Sequence, residues 1–340
     1  MLRKIDQNVY NSGNTVPTKI PIIQYGRDLA LYLKGSVLTT GASVANQDNP
    51  FSLLPAIDLV GAAGAVGTQT GSLHRMSGID MYVLNAFETG NWGFIQRTGA
   101  STTTTYAFAG LIVIPFTSFP ADSMNLLPHP NFTNLELDAT WGAIGTLGTN
   151  VGASFAVTPT LDIYEATRLA PATATPSLMK TVVKSQPLTA SADNFIDITT
   201  GLPIQEILIK IQDGSPLVRS DALVTQVSLI ENDTIYHVSS IPWDFLQAFG
   251  KYREANISPT AVGMPWPFVE ASDVITGTQV GLGVANRTGI TGYNFLDFLD
   301  LEGTPLTNNQ ATSQLKLKLT CGSSAGGTPI ATVILRQRVG

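Results

Sequence analysis

The sequence has 340 residues, carries a net charge of −6 and contains one cysteine. A chain of this length exceeds the size at which one hydrophobic core usually keeps growing, so it predicts two domains. The acidic balance excludes the broad basic surface that direct nucleic-acid binding needs, and one cysteine excludes a disulfide framework or a multi-cysteine metal site. Charged residues make up 13% of the chain, well below the usual share, which indicates either a surface covered by other subunits or an uncharged surface.

Residues 1–26 are predicted to form an N-terminal arm, because glycine and proline residues interrupt any regular pattern there. The segment lacks the apolar core of a signal peptide, so we expect a soluble, unsecreted chain. Residues 1–34 contain five basic residues against two acidic ones. Arg3, Lys4 and Lys19 could therefore face an anionic membrane or a genome, and a solvated terminus is the alternative interpretation.

The stretch from Arg27 to Thr40 alternates between apolar and polar side chains. This period of two predicts a half-buried strand. Further strand signals, separated by Gly, Pro and Asn, continue to residue 170 and include Ile79–Phe87 and Phe132–Trp141. Residues 27–170 are therefore predicted to be a first β domain. The apolar positions of its first strand are Leu29, Leu31, Leu33, Val37 and Thr39.

No cofactor or metal site is predicted. The stretch Ala56–Gly67 begins like a strand followed by a dinucleotide loop, but Gly61 is not followed by the two further glycines that such a loop requires. The three histidines, His74, His129 and His237, lack the paired spacing of metal ligands on one strand or helix. They are predicted to be hydrogen-bonded loop or surface residues.

Prolines and small residues interrupt residues 171–190, which are predicted to be a linker. Residues 191–340 then show a second series of strand signals, among them Glu206–Gly214. One helix is predicted within this second half, at Pro242–Arg253, with Ser240 as a possible cap and apolar residues on one face.

The two halves share a pattern, since corresponding stretches recur at a shift of roughly 180 residues. The shift relates Leu33 to Ile211, the strand Leu135–Thr140 to Leu315–Thr320, and an apolar strand ending in Phe116 to one ending in Phe298. Identities are few, and the pattern predicts two similar β domains, with a chance coincidence as the alternative. The predicted fold class is all-β, with one short helix in the second domain.

No nucleophile motif or combination of Cys and His indicates catalysis, so the chain is predicted not to be an enzyme. Paired carboxylates for glycoside hydrolysis need no local motif and stay open at this point. Tryptophans could stack on sugars in such a protein, which makes a carbohydrate-binding or carbohydrate-active β-sandwich the alternative function. They are Trp92, Trp141, Trp243 and Trp266.

Three stretches resemble the double-jelly-roll major capsid proteins of tailless, lipid-containing icosahedral phages, of the tectivirus, corticovirus and finnlakevirus type. The segment Pro21–Gly41 is similar to the start of that family, Ile241–Ala255 to its helix, and Tyr293–Thr320 to its closing strand pair in the second roll. The motifs are short, but they touch both halves of the chain.

The resemblance implies a structural protein made of two eight-stranded jelly rolls. It implies homotrimers with a six-sided outline that tile an icosahedral shell around an internal membrane, with penton or minor capsid proteins as further partners. In that family the N-terminal arm lies under the shell near the membrane, which would place Arg3, Lys4 and Lys19 inside. The expected location is the virion, after synthesis in the host cytoplasm.

Overall fold

The structure is a computed structural model that describes residues 2–22, 25–41, 46, 48–63, 71–89, 95–96, 105–116, 126–168, 178–198, 201–247, 291–298, 306 and 314–339. These residues form two compact units, and the chain passes from the first to the second between Met179 and Lys180. Both units consist mainly of antiparallel strands.

The first unit contains two sheets. Sheet 1A has the strand order β1–β10–β3–β7–β6, with β8 beside β3, and sheet 1B has the order β2–β9–β4–β5. Helix α1 (Gly78–Thr89) follows β5, and short 3-10 helices lie at Phe51–Leu53, His129–Asn131 and Ile144–Leu147. The strands are β1 (Leu2–Val9), β2 (Thr15–Lys19), β3 (Tyr25–Thr39), β4 (Ala56–Ala63), β5 (Gly71–Met76), β6 (Ile95–Gln96), β7 (Thr105–Pro115), β8 (Leu127–Pro128), β9 (Phe132–Thr140) and β10 (Val151–Arg168).

The second unit repeats this arrangement. Sheet 2A has the order β11–β19–β13–β14, with β17 also paired to β13, and sheet 2B has the order β12–β18–β15–β16. Residues 243–247 are helical and follow β16. The strands are β11 (Leu178–Pro187), β12 (Asp193–Ile198), β13 (Ile204–Asp213), β14 (Val218–Arg219), β15 (Val224–Glu231), β16 (Ile235–Pro242), β17 (Tyr293–Asp297), β18 (Leu315–Cys321) and β19 (Ile330–Val339).

Eight strands of each unit correspond in chain order and in sheet order. In sheets 1A and 2A, β1, β10, β3 and β7 match β11, β19, β13 and β17; in sheets 1B and 2B, β2, β9, β4 and β5 match β12, β18, β15 and β16. Helical residues follow β5 in one unit and β16 in the other. A pair of four-stranded sheets with this strand order is a jelly roll. The predicted fold of two consecutive eight-stranded jelly rolls is confirmed.

Alternating apolar side chains form the core of each roll. In the first unit, all five predicted inward positions of β3 are fully buried, and so are Leu135 and Leu137 on β9. In the second unit, Ile207, Ile209 and Ile211 of β13 belong to one buried cluster with Leu315, Leu317 and Leu319 of β18. The period-two patterns read from the sequence therefore mark the walls of both cores.

The predicted N-terminal arm is wrong for most of its length. Residues 2–9 form β1, which pairs with β10, and residues 15–19 form β2, which pairs with β9. A strand with so many polar side chains gives little local signal, because its stability comes from backbone pairing and ion pairs with distant residues.

The predicted linker also needs correction. Strand β11 occupies residues 178–187 and is hydrogen-bonded to β19, so this part belongs to sheet 2A. Residues 171–177 lie outside the described residues. Leu178 to Pro187 contains two lysines and a terminal proline, which suit an edge strand and weaken a strand prediction made from sequence.

Helix α1 replaces the strand predicted at Ile79–Phe87. Its start is capped, since the Asp80 backbone N–H donates to Ser77 Oγ at 3.2 Å and the Ser77 hydroxyl donates to the Asp80 carboxylate at 2.6 Å. An apolar run of this length fits either element, so the Ser77 and Asp80 pair was the better signal. The helix predicted at Pro242–Arg253 is confirmed for residues 243–247, and its remainder lies outside the described residues.

Candidate functional site

Arg3, the first of the three predicted basic site residues, binds a buried carboxylate. It lies opposite Glu165 in the pairing of β1 with β10, and its Nη2 is 2.8 Å from Glu165 Oε2. The other oxygen of Glu165 is 2.9 Å from Nε2 of His129, and both side chains are fully buried. Gly26 leaves the necessary room, because a Cβ there would lie 2.7 Å from His129 Nε2. Arg3 thus attaches β1, the edge strand of sheet 1A, to its neighbour β10.

Lys4 points to the opposite face of the same sheet and joins a second charged cluster. Its Nζ is 2.8 Å from Asp162 Oδ1, Lys34 Nζ is 2.7 Å from Asp162 Oδ2, and Gln7 also donates to Oδ1. Burial alone would raise the pKa of Asp162, but these hydrogen bonds outweigh it and lower the pKa below its usual value. Consecutive residues of a strand point to opposite faces, so Arg3 and Lys4 attach β1 on both sides of the sheet.

Lys19 differs from the other two predicted site residues. It is exposed at the end of β2 and lies opposite Glu136 of β9. Within the described residues it makes no ion pair. The expectation that this basic set faces a membrane or an interior stays a prediction, and Lys19 is the member whose ammonium group has no ion-pair partner in the described part of the chain.

The second unit carries a buried charged cluster on the outward face of sheet 2A. Glu206 lies opposite Arg336 of β19 on one side and opposite Asp297 of β17 on the other. Arg336 Nη1 is 3.4 Å from Glu206 Oε2, and both side chains are almost completely buried. Burial, together with the charge of Asp297, raises the pKa of Glu206 to about 8. Burial lowers the pKa of Arg336 to about 10. With one cation and two acids, a proton on Glu206 makes the cluster neutral.

This cluster predicts that the unfolding free energy falls as the pH rises. The folded protein keeps the Glu206 proton up to about pH 8, whereas a glutamate in the unfolded chain loses it near its ordinary pKa of 4.5. The resulting stabilisation is complete below pH 4.5 and is lost as the pH rises through 8, by at most about 1.4 kcal/mol per pH unit. In chemical denaturation between pH 5 and 8, we expect Glu206→Gln to flatten this slope and the exposed-site control Asp197→Asn to retain it. A slope unchanged in Glu206→Gln would contradict the assignment.

Of the four tryptophans considered for sugar binding, the two that the structure describes do not form such a site. Trp141 and Trp243 are buried, and the indole of Trp243 donates to Asp221, so neither is available to stack on a sugar. Trp92 and Trp266 lie outside the described residues. In the stretch Ala56–Gly67, which begins like a dinucleotide-binding sequence, the first eight residues form β4. Its last four residues lie outside the described residues.

Of the three histidines, His74 departs from the predicted loop or surface position, because it lies on strand β5, whereas His129 belongs to a short 3-10 helix and is hydrogen-bonded to the Pro21 carbonyl. His74 and His129 are buried, whereas His237 is partly exposed and lies 3.0 Å from Glu231. In the described part of the chain, no three residues among His, Cys, Asp and Glu come together as a metal site. The same residues include no helix long and apolar enough to cross a membrane.

Sequence reasoning missed Glu165 and Asp162, which organise the two clusters around β1. A signal for Glu165 was present, because it shares parity with Leu161 and Ile163, which are buried core residues of β10. An acid on the apolar side of a strand must find a partner, since an isolated buried charge is very unfavourable. The partner itself could not be read, because Arg3 lies 162 residues away in sequence.

Solved structures of other proteins share this architecture, and each match covers almost the full length of this chain and of the matched chain. The major capsid protein of STIV matches with a TM-score of 0.72 at 13% identity, covering 99% of this chain and 96% of that chain. A chain in the atomic structure of Sulfolobus Turreted Icosahedral Virus gives 0.71 at 13% identity, covering 100% and 90%. The major capsid protein P2 from bacteriophage PM2 gives 0.58 at 14% identity, covering 100% and 97%.

No family model matches the sequence, and no curated protein matches it either. At identities this low the structural likeness establishes the fold. The chain therefore has the double-jelly-roll fold of these major capsid proteins, as its resemblance to such phage proteins predicted.

Proposed function

We propose that this protein is a viral major capsid protein that acts by assembly rather than by catalysis. The observation that carries the proposal is the presence of two complete eight-stranded rolls, strand for strand, in one chain. The similar solved structures that are named as capsid proteins match nearly all of both chains, so the likeness is not confined to one sandwich.

Three copies form the proposed building block. A closed ring of three identical chains has a threefold axis. Because each chain contains two similar rolls, the ring contains six of them. Six similar rolls then give a capsomer with a nearly hexagonal outline, which can tile an icosahedral shell. The low share of charged residues supports extensive contact between copies, because the central parts of subunit interfaces are depleted in charge.

The location and further partners belong to the same proposal. The protein forms the shell of a virion after synthesis in the host cytoplasm, together with penton or minor capsid proteins. The shell surrounds an internal membrane, and Lys19 is the basic residue best suited to contact its anionic headgroups, because Arg3 and Lys4 are already paired. Nucleic acid is not proposed as a direct partner of this acidic chain.

Electron microscopy of the purified protein tests this function. We expect class averages with a six-lobed outline, since each of three chains contributes two rolls. Separate two-lobed particles at all concentrations, with saturable binding on a glycan array, would contradict the proposal and favour a carbohydrate-binding sandwich.

A further inference from the structure

The outward faces of sheets 1B and 2B carry opposite charges at matching places. Strands β9 and β18 correspond, and in both strands the outward side chains alternate with buried apolar ones. The outward residues are Glu136 and Asp138 on β9, and Lys316 and Lys318 on β18. All four are half-buried, so solvent still reaches them. The two rolls therefore share a strand arrangement but present charges of opposite sign on it.

The outer 1B face has an acidic centre. We define this face by Asp58, Glu136 and Asp138, with Lys19 and Arg75 at its margin. Asp58 of β4 lies directly opposite Asp138, and Glu136 lies two residues from Asp138 on the same side of β9. Lys19 is the last residue of β2, and Arg75 is 69% exposed with its Nε 3.9 Å from Asp58 Oδ2. The basic residues therefore flank the acids without separating them.

The outer 2B face has the inverse pattern. We define this face by Lys316 and Lys318, with Asp193, Asp197 and Asp233 at its margin. Lys316 Nζ is 2.9 Å from Asp233 Oδ1, and Lys318 Nζ is 2.8 Å from Asp193 Oδ2. Asp197 lies opposite Lys316 on the edge strand β12. Centre and margin are thus both reversed in sign relative to the outer 1B face.

The centre of the outer 1B face is electrostatically unfavourable in a single chain. Like charges directly opposite each other on neighbouring strands destabilise a sheet, and Asp58 and Asp138 form such a pair. Burial, followed by the charges of Glu136 and Asp58, raises the pKa of Asp138. Cations supplied from outside the chain would relieve this repulsion.

The lysines of the outer 2B face are suited to supply those cations. Their partners Asp233 and Asp193 are 69% and 43% exposed, so both ion pairs lie in contact with water. Exposed pairs of this kind contribute little free energy, and the lysine side chain is long and flexible. Lys316 and Lys318 therefore accept additional carboxylates at little cost.

We propose that the outer 1B face of one capsomer binds the outer 2B face of a copy in a neighbouring capsomer. The inference rests on the proposed function, but it concerns the contact between trimers and not the contact within one. Charge decides between the two, because the central parts of stable subunit interfaces are depleted in charge, whereas complementary charges give a contact its specificity and register. The contact is heterologous, since two different faces meet, and such contacts extend an array when they do not close.

Charge reversal on each face tests the contact. We expect Glu136→Lys with Asp138→Lys, and separately Lys316→Glu with Lys318→Glu, to form roughly tenfold less material above the trimer mass than the parent in light scattering at equal concentration. The four substitutions together make the faces complementary again and are expected to restore assembly to within about threefold of the parent. Lys316→Arg with Lys318→Arg keeps both charges and is the matched control. Trimers are expected in every variant, because the contact lies between trimers.

Net charge alone predicts a different result. Replacing two acids with lysines makes the chain less negative than −6, whereas replacing two lysines with acids makes it more negative. If general repulsion governed assembly, the first of these variants would assemble better than the parent. Assembly of either single-face variant at the parent level would overturn the inference. So would a four-substitution variant that assembles no better than the single-face variants.

Salt dependence of the unmodified protein gives a second test that does not depend on a variant folding. Raising the salt concentration from about 0.05 to about 0.5 M screens exposed charges, so we expect roughly tenfold less material above the trimer mass while the trimer itself persists. Growth that is independent of salt, or trimers that form no larger species at any salt, would overturn this inference and leave the trimer intact. A parent protein that stays monomeric throughout would overturn the proposed function itself, and this inference with it.

Discussion

Replacing Leu317 with aspartate is expected to lower the unfolding free energy by about 3 kcal/mol or more, since it places an unpaired charge in a core. Leu317 is fully buried on β18, where it pairs with Ile196 on one side and Leu229 on the other. All three side chains belong to the core of the second roll. The lost apolar burial adds to the cost of the charge. Chemical denaturation and the yield of assembled protein would both report the loss.

The matched control for this variant lies on the next strand. Phe195 of β12 is large and apolar, but it is 49% exposed on the outward side of the same sheet. We expect Phe195→Asp to change the unfolding free energy by no more than about 1 kcal/mol. Equal stability of Leu317→Asp and the parent would show that the inward face of sheet 2B has been assigned incorrectly.

Replacing Arg3 with methionine is expected to cost about 2 to 4 kcal/mol of unfolding free energy, because it removes a cation from a fully buried carboxylate. Methionine keeps most of the length of the side chain, so the change isolates the charge. Glu165 would retain His129 as a neighbour but lose both hydrogen bonds from the guanidinium. The loss should appear in equilibrium denaturation and as faster hydrogen exchange along β1.

Lys19→Met is the control, because Lys19 comes from the same predicted basic set but has no partner among the described residues. We expect its unfolding free energy to stay within about 0.5 kcal/mol of the parent value. If both variants were equally stable, the ion pair of Arg3 would not hold β1 to β10. The interpretation of the N-terminal residues as a solvated terminus would then regain support.

Sequence patterns predicted the parts of this fold in which one strand face is buried and the other is not. Strand β3 and strands β9 and β18 alternate cleanly, and their recurrence at a shift of roughly 180 residues indicated the duplication that the sheet orders now confirm. These signals are local, because the alternation of side chains along a strand depends only on which face meets the core.

Strands held by distant partners could not be predicted in the same way. Strand β1 has one buried side chain, Asn8, and is attached by Arg3 and Lys4 to carboxylates more than 150 residues away. Helix α1 was missed for a different reason, since its apolar residues leave the period ambiguous. Lys210 lies on the face of β13 opposite to Ile209 and Ile211, but its burial depends on what covers that face, which strand periodicity does not encode.

The mass of the purified protein in solution, measured by light scattering over a range of concentrations, tests the central claim most directly. Three chains of 36.1 kDa give about 108 kDa, and the proposed capsomer predicts a stable species of this mass that proceeds to larger particles. A well-behaved monomer of 36.1 kDa at every concentration would contradict assembly into capsomers.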